Sequence, residues 1–191
     1  SAQRVSIPSG TLRAQMMPGM KVTESLKPVS IRKQGGKHIL DIGQNMAGWL
    51  RIRIKGQAGD SIRLRFAERL QPDGEIFTKN LRDAHCTDIY VVSGREPQDA
   101  TWAPRFVYHG FRYVEISGYP NAKTEDFTAE VVDDEMAHTG TFTGSDETLN
   151  QVLRNAFWGI RSNYKGMPVD CPQRNERQPW LGDHAMGSWG E

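Results

Sequence analysis

The chain has 191 residues, 37% hydrophobic and 25% charged, with a formal net charge of +1. That length suits one large domain, or one domain with part of another, and the composition is that of a globular protein. The near-zero charge excludes the basic footprint of a nucleic-acid or anionic-membrane binder. No apolar stretch approaches transmembrane length, and two cysteines, Cys86 and Cys171, make no disulfide scaffold.

Residues 1–27 carry little pattern, broken by Pro8, Gly10, Pro18 and Gly19. They read as a linker or the tail of a preceding domain. Residues 1–10 are polar, with no apolar core of the kind a signal peptide needs. From Pro28 the pattern changes, and residues 28–143 read as one β-domain. Residues 38–42 form a short apolar strand. Residues 50–54 and 62–66 alternate strictly between apolar and basic side chains, as half-buried strands do. The turn Gly56-Gln-Ala-Gly59 between them predicts an antiparallel hairpin. Its Arg51, Arg53, Arg63 and Arg65 would then share a solvated outer face. Further strands are expected at 88–92, 111–116, 127–132 and 140–143, separated by turn residues such as Pro72-Asp-Gly74 and Gly118-Tyr-Pro120. Many short strands with no helical period between them predict an antiparallel β-sandwich or jelly roll.

At Gly144 the period changes. Ser145 suits an N-cap, and Asp146 and Glu147 suit the first turn of a helix. Leu149, Val152, Leu153, Ala156, Phe157 and Ile160 then fall on one helical face, and Gly166 supplies a stop. This face needs helical partners that the chain mostly lacks, so residues 145–191 are expected to pack poorly alone.

The run from Pro168 to Asp183 carries the densest chemistry. Asp170, Arg174, Glu176, Arg177, Trp180 and Asp183 lie in a stretch that Pro172 and Pro179 keep from being one helix. Paired carboxylates equip general acid–base catalysis, above all glycoside hydrolysis. An indole suits the apolar face of a sugar ring. A salt-bridged interdomain loop with a packing tryptophan accounts for the same residues equally well. The histidines His38, His85, His109, His138 and His184 show no zinc-ligand spacing with Cys86 or each other, so no metal is expected. His109 reads as a sheet-packing residue, and Gln34-Gly-Gly36 as a turn, not a phosphate loop. Asp41, Gln44 and Asn45 near Trp49 suit either sugar binding or a loop stitched to a neighbouring domain.

The run Asp170-Cys-Pro-Gln-Arg-Asn-Glu-Arg-Gln-Pro-Trp-Leu-Gly-Asp183 resembles the motif of bacterial α-L-rhamnosidases, glycoside hydrolase family 78. Asp41-Ile-Gly-Gln-Asn-Met-Ala-Gly-Trp49 and Phe106-Val-Tyr-His-Gly-Phe-Arg-Tyr-Val114 resemble two further segments of that family, and the region from Arg69 to Asp83, with Asn80-Leu-Arg82, fits between them. The resemblance spans roughly residues 20–191. It implies a β-sandwich followed by an (α/α)6 barrel, of which residues 144–191 would be the truncated start. It matches Glu176 to the general acid, and Asp170, Arg174, Trp180 and Asp183 to the lining of a rhamnose subsite. The family inverts anomeric configuration, so a second carboxylate must activate water. That base is expected beyond Glu191, which predicts an inactive isolated chain. Asn175 stands where the family usually has aspartate, and Gln178-Pro179 replaces the usual x-Gly before the tryptophan. The implied partners are a rhamnose-containing oligosaccharide or glycoside and the remainder of the barrel, with no cofactor, nucleic acid or membrane. A non-catalytic carbohydrate-binding or scaffolding module is the alternative.

Overall fold

The computed structural model describes residues 3–6, 9–137, 139–180, 182, 183 and 185. The described residues are mostly β, with ten strands among them: β1 (Met20–Leu26), β2 (Ser30–Gln34), β3 (Lys37–Arg53), β4 (Ser61–Ala67), β5 (Arg69–Leu70), β6 (Ile76–Phe77), β7 (Thr87–Val91), β8 (Thr101–Trp102), β9 (His109–Ser117) and β10 (Phe127–Asp134). An α-helix, α1 (Glu147–Ser162), follows. Eight strands make a curled antiparallel sheet in the order β1-β10-β3-β9-β4-β7, with β2 and β8 also on β3; β5 and β6 form a separate hairpin.

The 17-residue β3 organises this sheet. It exchanges neighbours along its length: residues 37–41 pair with β2 and residues 48–52 with β10. On its other side it pairs with β9 and then β8, with a register shift between Asp41 and Met46. Such a shift bends the strand and increases its twist. Gln34 pairs with Lys37 across Gly35 (φ 53°) and Gly36 (φ 80°). Two central residues with positive φ match the right-handed twist of the flanking strands, and glycine takes that conformation without a Cβ clash.

The apolar positions of the central strands supply the core. Leu40, Leu50 and Ile52 of β3, Ile62, Leu64 and Phe66 of β4, and Phe111, Val114 and Ile116 of β9 are all fully buried. The arginines between them are less uniform than expected. Arg53 and Arg63 are exposed, but Arg51 is half-buried and forks onto the buried Glu130 carboxylate at 2.6 and 3.1 Å.

Four expectations need correction. Residues 50–54 and 62–66 do not form a hairpin: β9 lies between β3 and β4 and pairs with both. The stretch 20–26, expected within a linker, is β1 and pairs with β10. Residues 140–143 form no strand. The N-cap of α1 is Asp146, not Ser145; its Oδ1 accepts from the Thr148 and Leu149 N–H groups at 2.8 and 3.3 Å. Both residues can cap, but a carboxylate also favours the positive end of the helix dipole.

Helix α1 is held to the sheet near its C-terminus. Arg161 donates to Asp133 at 2.8 Å, Glu24 at 2.7 Å and Thr23 at 2.9 Å. Its guanidinium lies 4.6 Å from the Trp158 ring centroid, and Trp158 packs on the core. The remainder of the apolar face is open: Leu149, Val152, Leu153 and Phe157 are 45, 55, 40 and 39% exposed.

Candidate functional site

The chain turns back onto the sheet after α1. The Val169 N–H donates to the Asn163 carbonyl at 2.8 Å. Asp170 then closes the loop on itself. Its N–H donates to the Gln178 carbonyl at 3.1 Å, and its Oδ1 accepts from the Gln178 N–H at 2.7 Å. Proline at 172 and 179 removes two backbone donors, so side chains carry much of the loop's internal bonding.

Several contacts seat this loop on the β-domain. Arg177 adopts φ 48° and donates to the carbonyls of Pro172 (2.8 Å), Tyr108 (3.0 Å) and Arg174 (3.1 Å). Its guanidinium also stacks 4.3 Å from the Tyr108 ring centroid. The buried Cys86 thiol donates to the Gln173 carbonyl at 2.9 Å. Gly110 of β9 lets the loop approach closely: a Cβ there would stand 2.8 Å from Pro172 Cγ and 2.9 Å from Gln173 Cβ. His109 beside it packs in the sheet, stacked 4.2 Å from Phe66 and 3.0 Å from Asp88.

This seating brings Asp170, Arg174 and Glu176 together. Glu176 Oε2 accepts from Arg174 Nε at 2.9 Å and lies 2.7 Å from its second nitrogen. The same oxygen lies 2.8 Å from Arg82, a residue of the β-domain. Arg174 also reaches Asp170 Oδ2 at 3.5 Å. Burial pushes the Asp170 carboxyl up. The Cys171 thiol, the Gln178 N–H and Arg174 outweigh it, leaving the carboxyl below its ordinary range. Burial, reinforced by the Asp170 carboxylate, pushes the Cys171 thiol up.

Ligating atoms of Asp170, Cys171 and Glu176 lie within 4.8 Å of one another. The Arg174 guanidinium already donates into this group, so a cation of the chain itself matches its charge. His138 and His184 lie outside the described residues.

Trp180 and Asp183 fall elsewhere. Trp180 is 54% exposed, and its backbone N–H donates to the Gln178 carbonyl at 2.9 Å; Asp183 is exposed. Among the described contacts neither side chain joins the ion-paired cluster. Asp41 is bound instead to Arg112, which donates to both carboxylate oxygens at 2.8 and 3.0 Å. Two of the sequence motifs thus meet through this pair. Trp49 donates to Glu130 at 2.6 Å, away from Asp170. Gln44 and Asn45, however, line an open groove of about 430 Å³ together with Glu68, Trp158, Asp170 and Arg174. The sequence reading did not single out Arg82, Cys86 or Tyr108 as site residues. Arg82 and Tyr108 lay inside segments that carried the family resemblance, which was the available signal.

The bacterial alpha-L-rhamnosidase concanavalin-like domain family matches residues 31–133, and the bacterial alpha-L-rhamnosidase 6 hairpin glycosidase domain family matches residues 137–191. An alpha-L-rhamnosidase of Streptomyces avermitilis is 43% identical over 171 residues, covering 89% of this chain and 16% of that protein. The alpha-L-rhamnosidase structure from Dictyoglumus thermophilum superposes with a TM-score of 0.88 at 37% identity, over 94% of this chain and 20% of that one. The Streptomyces avermitilis alpha-L-rhamnosidase complexed with L-rhamnose gives a TM-score of 0.87 at 39% identity, over 92% and 17%. Fold and loop are those of a class of glycoside hydrolases. The chain belongs to the bacterial alpha-L-rhamnosidase family. It spans about a fifth or less of the length of these relatives.

Proposed function

We propose that the protein carrying this chain is an inverting α-L-rhamnosidase that removes terminal α-L-rhamnose from glycosides or polysaccharides. In this reading Glu176 is the general acid, and Asp170, Arg174, Trp180 and Asp183 line the rhamnose subsite. Its β-sandwich takes in β1 as well as residues 28–143, and residues 144–191 begin the barrel that supplies the general base. The observation that carries the reading is the convergence of Asp170, Arg174 and Glu176 in one loop of a family member. A relative's complex with L-rhamnose supports the choice of sugar. An acid must give its proton to the glycosidic oxygen while a second carboxylate directs water to the opposite face. The 191-residue chain offers the first of these functions, so alone it is inactive.

Hydrolysis of an aryl α-L-rhamnoside by the full-length protein, with and without Glu176→Gln, tests this. A loss of about 10²-fold or more in the variant is expected. Undiminished turnover removes Glu176 from the acid role.

The groove beside Gln44, Asn45 and Trp158 favours a second reading, in which this region binds carbohydrate without cleaving it. Calorimetric titration of the chain with rhamnose and rhamnosylated oligosaccharides separates the two. Heat of binding by a parent that cleaves no rhamnoside supports the second.

A further inference from the structure

The contact between Arg82 and Glu176 joins the β-domain to the loop residue with the strongest claim to acid chemistry. Arg82 caps a short 3-10 turn, Lys79–Leu81, with φ 56° and ψ −122°. Few non-glycine residues adopt that backbone, and those that do cluster where geometry is over-determined by the surroundings. The surroundings here are visible. Leu81 is 1% exposed and anchors the turn in the core. Asn80 donates to Glu68 at 3.2 Å, and Glu68 in turn accepts from Asn45 at 3.0 Å. Four residues further on, Cys86 also has positive φ (40°) and donates to Gln173. One segment therefore grips the loop at Gln173 and at Glu176.

Arg82 and Arg174 both address Oε2 of Glu176, at 2.8 and 2.7 Å. A guanidinium has only donors and cannot accept a proton. With two of them on Oε2, a proton on Glu176 belongs on Oε1. Arg174 divides one nitrogen between Glu176 and Asp170 and gives its Nε to Glu176 alone, while Arg82 approaches the same oxygen from the β-domain.

Building on the function proposed above, we infer that Arg82 is a positioning residue that, with Arg174, reserves Oε1 of Glu176 as the proton-bearing oxygen. In the acid step the Oε1–H bond breaks as a bond forms from that proton to the glycosidic oxygen. The C–O bond breaks with its electron pair going to that oxygen. Glu176 is left as a carboxylate facing two guanidiniums. Arg82 touches neither sugar nor proton.

Leaving-group dependence in the full-length protein tests this. A 2,4-dinitrophenyl α-L-rhamnoside departs without a proton, whereas a 4-methoxyphenyl α-L-rhamnoside requires one. Arg82→Ala is expected to lower kcat on the methoxyphenyl substrate by about tenfold to a hundredfold. On the dinitrophenyl substrate kcat should change by less than about threefold, which also reports that the variant is folded. KM should stay nearly constant on both, and Arg82→Lys should restore part of the lost rate. An equal loss on both substrates in both variants overturns the inference, as does a raised KM with unchanged kcat, which would place Arg82 on the sugar. Failure of the unaltered protein to cleave either glycoside overturns the function proposed above, and this inference with it. Cleavage of both together with a uniform Arg82 effect overturns the inference alone.

Discussion

Arg177 stacks on the Tyr108 ring and donates to the Tyr108 carbonyl, so one guanidinium binds the loop to the segment leading into β9 by two different forces. It also closes two carbonyls of its own loop. Lysine offers a point charge without the planar fork and cannot make these contacts together. Arg177→Lys is therefore expected to speed amide exchange across residues 170–178 by about tenfold or more, with the sheet unchanged. Hydrogen exchange read by mass spectrometry checks this; equal protection in both proteins would contradict it.

Gly110 is a second determinant of the same seating. The atoms facing its missing Cβ belong to a proline ring and to the base of Gln173, which cannot swing away as a side-chain tip can. Gly110→Ala should lower stability by about 1–3 kcal/mol through overpacking. Chemical denaturation gives the magnitude, and nuclear magnetic resonance shifts should move at residues 171–174 first.

The attachment of α1 depends on Arg161. Replacing it with methionine strips Asp133, itself 4% exposed, of its partner and removes the stack on Trp158. Breaking a buried pair from one side costs about 3–5 kcal/mol. Loss of α1 protection while β3 and β9 stay protected is the expected pattern. Uniform destabilisation of the whole chain would show instead that helix and sheet unfold as one unit.

Lys165 gives a pH dependence of known sign. It is 7% exposed, and burial lowers its ammonium from 10.5 to about 8 despite the neighbouring Asp133 and Asp134. Between pH 8 and 10.5 the unfolded chain holds a proton there that the folded chain has released. Stability from this residue therefore rises with pH across that window, by roughly 3 kcal/mol at most. Lys165→Met should flatten that rise. Unfolding free energies of the two proteins at pH 7 and pH 10 give the comparison; parallel pH curves would refute it.

Acid acts on the opposite group. Burial raises the Asp41 carboxyl, but hydrogen bonds from Arg112 and the Gly43 N–H, with the Arg112 charge, bring it below its ordinary value of 3.8. Its contribution is present above pH 3.8 and is lost as pH falls through the lower folded value. Asp41→Asn should reduce this loss in acid unfolding, while lowering stability at pH 7 because Arg112 loses its bidentate partner.

The sequence revealed the strands better than their order. Period-2 alternation located β4 and the C-terminal part of β3, which bury one face, while turn residues delimited β7, β9 and β10, of which β10 is buried on both faces. Neither signal could show that β9 enters between β3 and β4, since that pairing joins residues dozens of positions apart. Residues 20–26 were missed as a strand because β1 keeps an exposed pattern along most of its length. The cap was misplaced by one residue because Ser145 and Asp146 both qualify. In the loop, residue types pointed to Asp170, Arg174 and Glu176, and the fold brings them together. Arg82 was named only as part of a resembling segment, because its contact with Glu176 depends on a positive-φ backbone that its side-chain type does not announce.

The loop's holdfasts lie far back along the chain: Cys86 is 87 positions from Gln173, and Tyr108 is 69 from Arg177. A ribosome releases the sheet first. By the time Asp170 to Gln178 emerge, the surface that shapes them already exists. The loop is cast against a finished mould and need not search for its conformation. A circular permutant that began at residue 145 would reverse that order, leaving its acidic and basic side chains to wait, unmatched, for the sheet.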